Sequence, residues 1–308
     1  MNTILMNAIQ EQSTRKPNRS EAAFDKDAWK EQKQKELKDV MELADWSVTE
    51  VFSSPEEFKE YLDLQNNFTK YRAGNVLLIR AQKPDAIEVD TFDGWKQRNV
   101  SINTGEHGFK ILTAVPYTRD TDGQQGIGFR VATAFDITQT SAFKMIQEEL
   151  ATDATAKPDV AVAAAPDVGK LLNALLRRSP VHMETDVNLD KSIAATFSPS
   201  ERVIIVNPEV DDTTAFIAIA HAMAHAESFI AGKIDPEVVV VSEAAAYLVC
   251  KKYGVDVESF TFSTLADFQD KLGPKTKQGL LNDARNLSLG ICDRMELTLH
   301  PPKREQER

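Results

Sequence analysis

Two histidines spaced four residues apart, His221 and His225, constrain the fold of this chain more than any other feature. They follow the apolar run 215–220, which predicts a buried helix. Side chains at positions i and i+4 of a helix project from the same face, so both imidazoles can bind one metal ion. The pattern therefore predicts a helix that contributes two ligands to a metal site.

The residue after the first histidine decides whether such a site can hydrolyse a peptide. The zinc peptidase signature is His-Glu-x-x-His, in which the Glu is the general base that activates water. This chain has Ala222 at that catalytic position. One base substitution converts a Glu codon into an Ala codon. The chain is therefore either an inactivated variant or a natural relative without the base.

Zinc needs a third protein ligand, and we predict Glu243 for this role. It opens the predicted helical segment 243–250, in which three alanines allow close packing on the histidine helix. Two helix histidines that bind no metal are the alternative interpretation. Weaker candidates for the third ligand are Glu227, Glu258 and His300, while His182 and His107 are assigned to a loop and a turn.

Length and composition limit the other possibilities. The 308 residues suffice for two domains, and 42% hydrophobic residues support real cores. A formal net charge of −11 argues against a generally cationic nucleic-acid binder but allows a local basic face. Cys250 and Cys292 are the only cysteines, which predicts a reducing compartment and no disulfide framework. Without a leader or an apolar run of ~20 residues, we expect a cytoplasmic protein with no membrane partner.

The predicted fold is α+β, with a mixed α/β N-terminal domain and a mostly helical second domain with a small sheet. The predicted parts are a disordered arm and leading helix (1–45), an N-terminal domain (46–150), a linker (151–166) and a second domain (167–308). Helices are expected over 27–43, from the Ser54-Pro55 start signal, and over 68–82, 168–178 and 242–253. Strands are expected at 100–102, 109–112 and 129–137, with two more within 196–206.

A basic and aromatic segment, 68–119, differs from the rest of the chain. It contains eight Lys and Arg against five Asp and Glu, with six aromatic residues among them. Aromatic rings that stack on bases and cations that follow phosphates are the features by which proteins bind single-stranded nucleic acid. A conventional aromatic core is the alternative. The predicted DNA contacts are Tyr71, Arg72, Arg80, Trp95, Lys96, Arg98 and Lys110.

Several segments together resemble the ArdC-type antirestriction proteins. Residues 71–82, YRAGNVLLIRAQ, are similar to that family's YS-x-x-N-x-x-LI-x-x-Q segment. Further similarities, in the same order and at similar spacing, are FDGW at 92–95, GEHGFKI at 105–111, FDITQT at 135–140, AHAMAHA at 220–226 and SEAAAYLV at 242–249. The second domain also resembles the ImmA/IrrE metallopeptidases.

The resemblance implies a single-stranded DNA-binding domain joined to a zincin-like, gluzincin-type domain that holds Zn2+ and acts on a protein substrate. It also implies carriage on mobile elements and protection of incoming DNA from restriction. Ala222 departs from the family pattern, as do residues 72–74 and Thr91. Two other functions stay open: a single-stranded DNA-binding protein with a structural zinc domain, and an ImmA/IrrE-like protease that cleaves a repressor.

Overall fold

Helices and two three-stranded sheets make up the described parts of the chain, which are residues 25–119, 123–145 and 165–301 of a computed structural model. The predicted α+β class is confirmed. The predicted arm, most of the linker at 151–166 and the charged residues at 303–308 lie outside the described residues. Within the described ranges, no helix combines the length and apolarity needed to cross a membrane.

The chain divides into two compact units, and the division differs from the predicted one. The first unit comprises residues 1–50 and 70–160, and the second comprises 51–69 and 161–308. Residues 51–69 thus group with the C-terminal half, although we predicted them within the N-terminal domain. Their helix is buried through Phe58, Tyr61 and Leu62, and its contacts are with elements distant in sequence.

The described elements of the first unit include three helices and one sheet. They are α1 (Lys26–Val51, whose last residue falls in the second unit), α3 (Ala73–Gln82), β1 (Val89–Thr91), α4 (Phe92–Gln97), β2 (Phe109–Thr118) and β3 (Gln125–Asp136). The strand order is β1-β3-β2, with both pairs antiparallel. The core of this unit includes Val40, Leu43 and Leu78.

The described elements of the second unit include five helices and a second sheet. They are α2 (Pro55–Asn67), α5 (Val168–Arg177), β4 (His182–Thr185), β5 (Ala195–Ser198), β6 (Val203–Val206), α6 (Asp212–Ile230), α7 (Val238–Tyr253) and α8 (Pro274–Leu299). The strand order is β4-β6-β5, where β4 runs parallel and β5 antiparallel to β6. Short 3-10 turns follow β3 and α7.

Local signals located several element ends correctly. The Ser54 hydroxyl accepts a hydrogen bond from the Glu57 N–H at 3.2 Å, and Pro55 occupies the first turn of α2. The two strands within 196–206 are also confirmed. Helix α3 starts at Ala73 rather than at Phe68, because Phe68 closes α2. Residues 100–102 form one isolated bridge, Ile102 to Thr140, instead of a strand.

Two elements of the second unit were not predicted. Helix α8 begins after Gly273, with Pro274 in its first turn, and buries residues such as Leu281, Ile291 and Met295. His182 begins strand β4 and lies outside any loop, although its side chain is exposed. Helix α8 contacts α7, which carries Glu243.

Asn75 and Gln82, two residues of the family-like segment, hold helix α3 to strand β2. The Asn75 amide donates to the Leu112 carbonyl at 2.9 Å and accepts from the Leu112 N–H at 2.8 Å. The Gln82 amide makes the same pair of bonds with Lys110, at 2.8 and 2.9 Å. Residues seven apart lie two turns apart on one helix face, so both amides reach the same side of β2.

Asp136 and Gln139, from the second family-like segment, fix the end of strand β3. One Asp136 carboxylate oxygen accepts from the N–H groups of Ile87 and Glu88 at 2.7 and 3.0 Å. The Gln139 amide accepts from the Asp136 N–H at 3.0 Å and donates to the His107 carbonyl at 2.9 Å. These buried polar groups are therefore paired and connect three chain segments.

Candidate metal site and DNA-binding surface

Helix α6 carries both histidines of the candidate metal site. It begins at an N-cap, Asp211, whose carboxylate accepts from the N–H groups of Thr213 and Thr214 at 3.0 Å each. Small residues around the histidines, Ala220, Ala224 and Ala226, are buried and let neighbouring elements approach closely. The sequence therefore folds this segment as a packed helix with His221 and His225 one turn apart.

Both imidazoles are held in the form that binds metals. Burial lowers the pKa of His221, and the nearby His225 lowers it further. A hydrogen bond with the backbone of Val239, at the start of α7, acts in the opposite direction. Burial also lowers the pKa of His225, whose ring packs edge-on against Phe197 with centroids 5.7 Å apart. Neutral imidazole is the ligating form.

Glu243 lies on α7, the helix that packs on α6, and its carboxylate supports a loop. One oxygen accepts from the Phe262 N–H at 2.9 Å, and the backbone of Thr261 also contributes a hydrogen bond. Burial raises the pKa of this carboxyl group despite those hydrogen bonds. Phe262 is fully buried at a positive φ of 49°, a strained conformation for a bulky residue, and Glu243 helps to hold it.

No three His, Cys, Asp or Glu side chains among the described residues are arranged to hold a metal ion. The structure brings the histidine pair together, while the described Glu243 carboxylate faces backbone N–H groups. The two imidazoles and one carboxylate have the right chemistry for zinc, and backbone hydrogen bonds of the kind that orient metal ligands are present.

The other candidates for the third ligand are engaged or exposed. Glu227 pairs with Arg294 of α8. Glu258 is exposed, and the exposed His300 ring lies 2.8 Å from Glu296. His182 and His107 are exposed as well. The Ala222 side chain, 4% exposed, places a methyl group where the peptidase signature has its carboxylate.

The predicted DNA contacts separate into exposed and engaged residues. Arg72 and Lys96 are exposed, and Arg80 is half-buried. Arg98 pairs with Glu88 and with Asp90. The Tyr71 hydroxyl donates to the Val89 carbonyl at 3.0 Å, and burial raises the pKa of Tyr71 to about 12.

Two of the predicted contacts are interior residues. Trp95 is only 1% exposed, and its indole N–H donates to the Phe135 carbonyl at 2.9 Å. It therefore belongs to the core and offers no free face for a base, so its prediction as a DNA contact is wrong. The Lys110 ammonium, largely buried, lies 3.2 Å from the Glu36 carboxylate and 3.2 Å from the Thr133 hydroxyl. Its charge is matched within the protein.

The predicted set of DNA contacts omitted four exposed aromatic residues of the first unit. They are Trp29 on α1, Phe92 at the start of α4, Tyr117 on β2 and Phe129 on β3. Part of this surface could have been found in the sequence. Ile127 and Phe129 are separated only by Gly128, so their side chains lie on the same face of a strand. These rings add aromatic surface that the predicted contact set lacked.

Comparison with known proteins finds a family match for the N-terminal half of the chain. Residues 34–141 match the family described as the N-terminal domain of anti-restriction factor ArdC. An uncharacterized protein of Bacillus anthracis is 24% identical over an alignment of 290 residues. The match covers 78% of this chain and 47% of that protein. The chain thus spans about half the length of this curated relative.

Two crystal structures of antirestriction protein ArdC from plasmid R388 are also similar. The metal-free structure has a TM-score of 0.47 and 14% identity, covering 73% of this chain and 85% of that one. The Mn(II)-bound structure has a TM-score of 0.48 and 14% identity, covering 76% of this chain and 97% of that one. Residues 34–141 are thus similar to the N-terminal domain of anti-restriction factor ArdC, and this match covers about a third of the chain.

Proposed function

We propose that this chain is an antirestriction protein that binds single-stranded DNA with its first unit and holds a divalent metal ion in a zincin-like second unit that lacks a general base. One observation carries the second half of the proposal. His221 and His225 lie one turn apart on a packed helix, and Ala222 stands between them in the sequence. Coating incoming DNA in single-stranded form would deny restriction enzymes their duplex substrate.

The proposed ligands are His221, His225 and Glu243, and the proposed metal is zinc. Burial keeps both imidazoles neutral, and the backbone bonds made by His221 and Glu243 are of the kind that orient metal ligands. When bound, zinc supplies Lewis-acid polarisation of a carbonyl and a more acidic water. The chain itself offers no carboxylate at position 222 to take a proton, so a binding role with a structural metal is the second candidate function.

Metal content tests this proposal directly. The purified full chain is expected to carry about one zinc per molecule, as a single site with three protein ligands does. His221→Ala removes one ligand without touching the first unit and is expected to abolish stoichiometric zinc. Inductively coupled plasma mass spectrometry after extensive dialysis measures the ratio. His182→Ala, which removes an exposed histidine of the same unit, is the matched control and should retain zinc.

Two outcomes of that measurement would contradict the metal site. One is wild-type chain that stays metal-free after incubation with zinc. The other is zinc retained at full stoichiometry by both histidine variants. Circular dichroism spectra of all three chains establish that the comparison is made between folded proteins. In either case the proposal would reduce to DNA binding by the first unit.

Salt dependence tests the DNA-binding half. Phosphate contacts release counterions, so the affinity of the full chain for oligo-dT should fall linearly on a log–log plot with salt. Arg72→Ala and Lys96→Ala each remove one exposed cation and should each reduce the slope by about 0.7 if that cation contacts one phosphate. Lys170→Ala, an exposed cation of the second unit, should leave the slope unchanged. Failure of the wild-type chain to bind oligo-dT at low salt would refute this half of the proposal.

A further inference from the structure

A groove of about 540 Å³ runs along the first unit between helix α1 and strand β3. Two exposed aromatic rings line it, Trp29 from the helix at 48% exposure and Phe129 from the strand at 54%. Its other lining residues are Lys33, Gln34, Glu36, Leu37, Arg130, Val131 and Ala132. An exposed aromatic ring in each wall is unusual for a surface groove, since burial of such rings in a core is strongly favourable.

The surroundings of the groove carry more positive than negative charge. Lys33 lies 2.7 Å and Lys110 lies 3.2 Å from the Glu36 carboxylate, which is the acidic side chain lining the groove. Burial alone would raise the pKa of Glu36, but these two lysines lower it overall, so this carboxyl group is ionised. Arg130, exposed, adds a third cation, and its Nε donates to the Thr113 hydroxyl at 3.3 Å. Among the lining residues, Lys33 and Arg130 thus outnumber the one carboxylate, Glu36.

We propose that this groove binds the unpaired bases of single-stranded DNA, with Trp29 and Phe129 as stacking platforms and Lys33 and Arg130 as phosphate contacts. The inference rests on the proposed DNA-binding function and names its site. Stacking on a ring requires a base whose face is free, which a duplex does not offer. An aromatic groove with a surplus of cations is what sequence-tolerant binding of single strands uses.

Alanine replacement of each ring in the full chain tests the site. With a fluorescein-labelled dT oligonucleotide, Trp29→Ala and Phe129→Ala should each weaken binding by about fivefold to a hundredfold, the usual loss per stacked base. Phe92→Ala is the matched control, because Phe92 is 55% exposed in the same unit and lies outside the groove. Fluorescence anisotropy measures the affinities.

The conservative variant Phe129→Trp separates stacking from packing. It retains a larger aromatic face and should bind with at least wild-type affinity, whereas a merely structural role would be disturbed by the added volume. Ultraviolet cross-linking to the same oligonucleotide should attach it to peptides containing Trp29 or Phe129. Thermal melting of each variant establishes that the compared chains are folded.

The outcomes distinguish this site from the proposed function. If the wild-type chain binds no oligo-dT, the groove site and the proposed DNA-binding function are both overturned. If it binds and both alanine variants bind equally well, the groove is refuted while DNA binding stands, and Arg72 and Lys96 remain the contacts to examine. If Phe129→Ala instead abolishes self-association detected by sedimentation and leaves DNA affinity unchanged, the groove is an interface between copies of the chain.

Discussion

An Ala222→Glu variant loaded with zinc is expected to cleave peptides about 10²–10⁴ times faster than the Ala222 chain, because general-base catalysis typically contributes that factor. The new carboxylate would follow His221 directly, as in the peptidase signature, and would take a proton from the attacking water. Release of fluorescence from a mixed library of quenched peptides measures the rate. Intact mass detects self-cleavage in the same samples.

Ala222→Gln is the control for that variant. Gln has nearly the same size and shape as Glu but cannot accept the proton, so its rate should stay at the level of the Ala222 chain. Because Ala222 is buried, both longer side chains impose a similar packing cost, and melting curves establish that the two compared variants are folded. A folded, zinc-loaded Glu variant that is no faster than the Gln variant would eliminate the peptidase scaffold and leave a structural metal domain.

The second large effect is expected at the ion pair that anchors the histidine helix. Arg294 of α8 pairs with Glu227, two residues after His225, and its Nε donates to the Arg178 carbonyl at 3.2 Å. Arg294→Ala leaves the Glu227 carboxylate, whose side chain is 18% exposed, without its cation. Removing one partner of a fully buried pair costs 3–5 kcal/mol, so we expect a loss of about 2–3 kcal/mol here. Urea denaturation measures it.

The double variant Arg294→Ala/Glu227→Gln isolates the charge. An amide costs less to leave unpaired than a carboxylate, so the double variant should recover at least half of the lost stability. Arg177→Ala, which removes an exposed arginine of the same unit, should change the free energy of unfolding by less than about 0.5 kcal/mol. If Arg294→Ala and Arg177→Ala lowered the free energy of unfolding equally, the ion pair of Arg294 and Glu227 would contribute nothing to stability.

The family-like segments were predictable from the sequence, but their physical role was not. The sequence analysis identified Asn75, Gln82, Asp136 and Gln139 only as members of these segments. The structure shows all four amide or carboxylate groups bound to backbone. Such pairings join segments tens of residues apart, and local patterns carry no information about partners at that separation.

Burial explains the errors among the predicted DNA contacts. Composition around Trp95 and Lys110 favoured a cationic, aromatic surface, but the indole N–H of Trp95 donates to Phe135 of β3 and Lys110 of β2 pairs with Glu36. Glu36 lies on helix α1, which we predicted as a leading helix outside the N-terminal domain. Two of the four exposed rings, Trp29 and Phe129, lie on that helix and on strand β3, outside the basic segment.

The histidine helix was the most predictable part of the candidate site, and the third ligand the least. The spacing of His221 and His225 fixes their relative position on any helix, whatever the fold around it. Placement of Glu243 depends on how α7 packs on α6 and on the loop at Phe262, which has a positive φ that no local rule assigns to phenylalanine. Helix α8 was missed although Gly273-Pro274 marks its start.

The amides of Asn75 and Gln82 have a consequence for how this protein behaves at high concentration. Strand β2 lies at the border of its sheet, and a border strand can recruit a strand from another molecule through its free N–H and C=O groups. At residues 110 and 112 those groups are already occupied by the two side chains. Two half-buried helix residues thus protect the sheet against edge-to-edge aggregation, which other proteins prevent with charges or prolines.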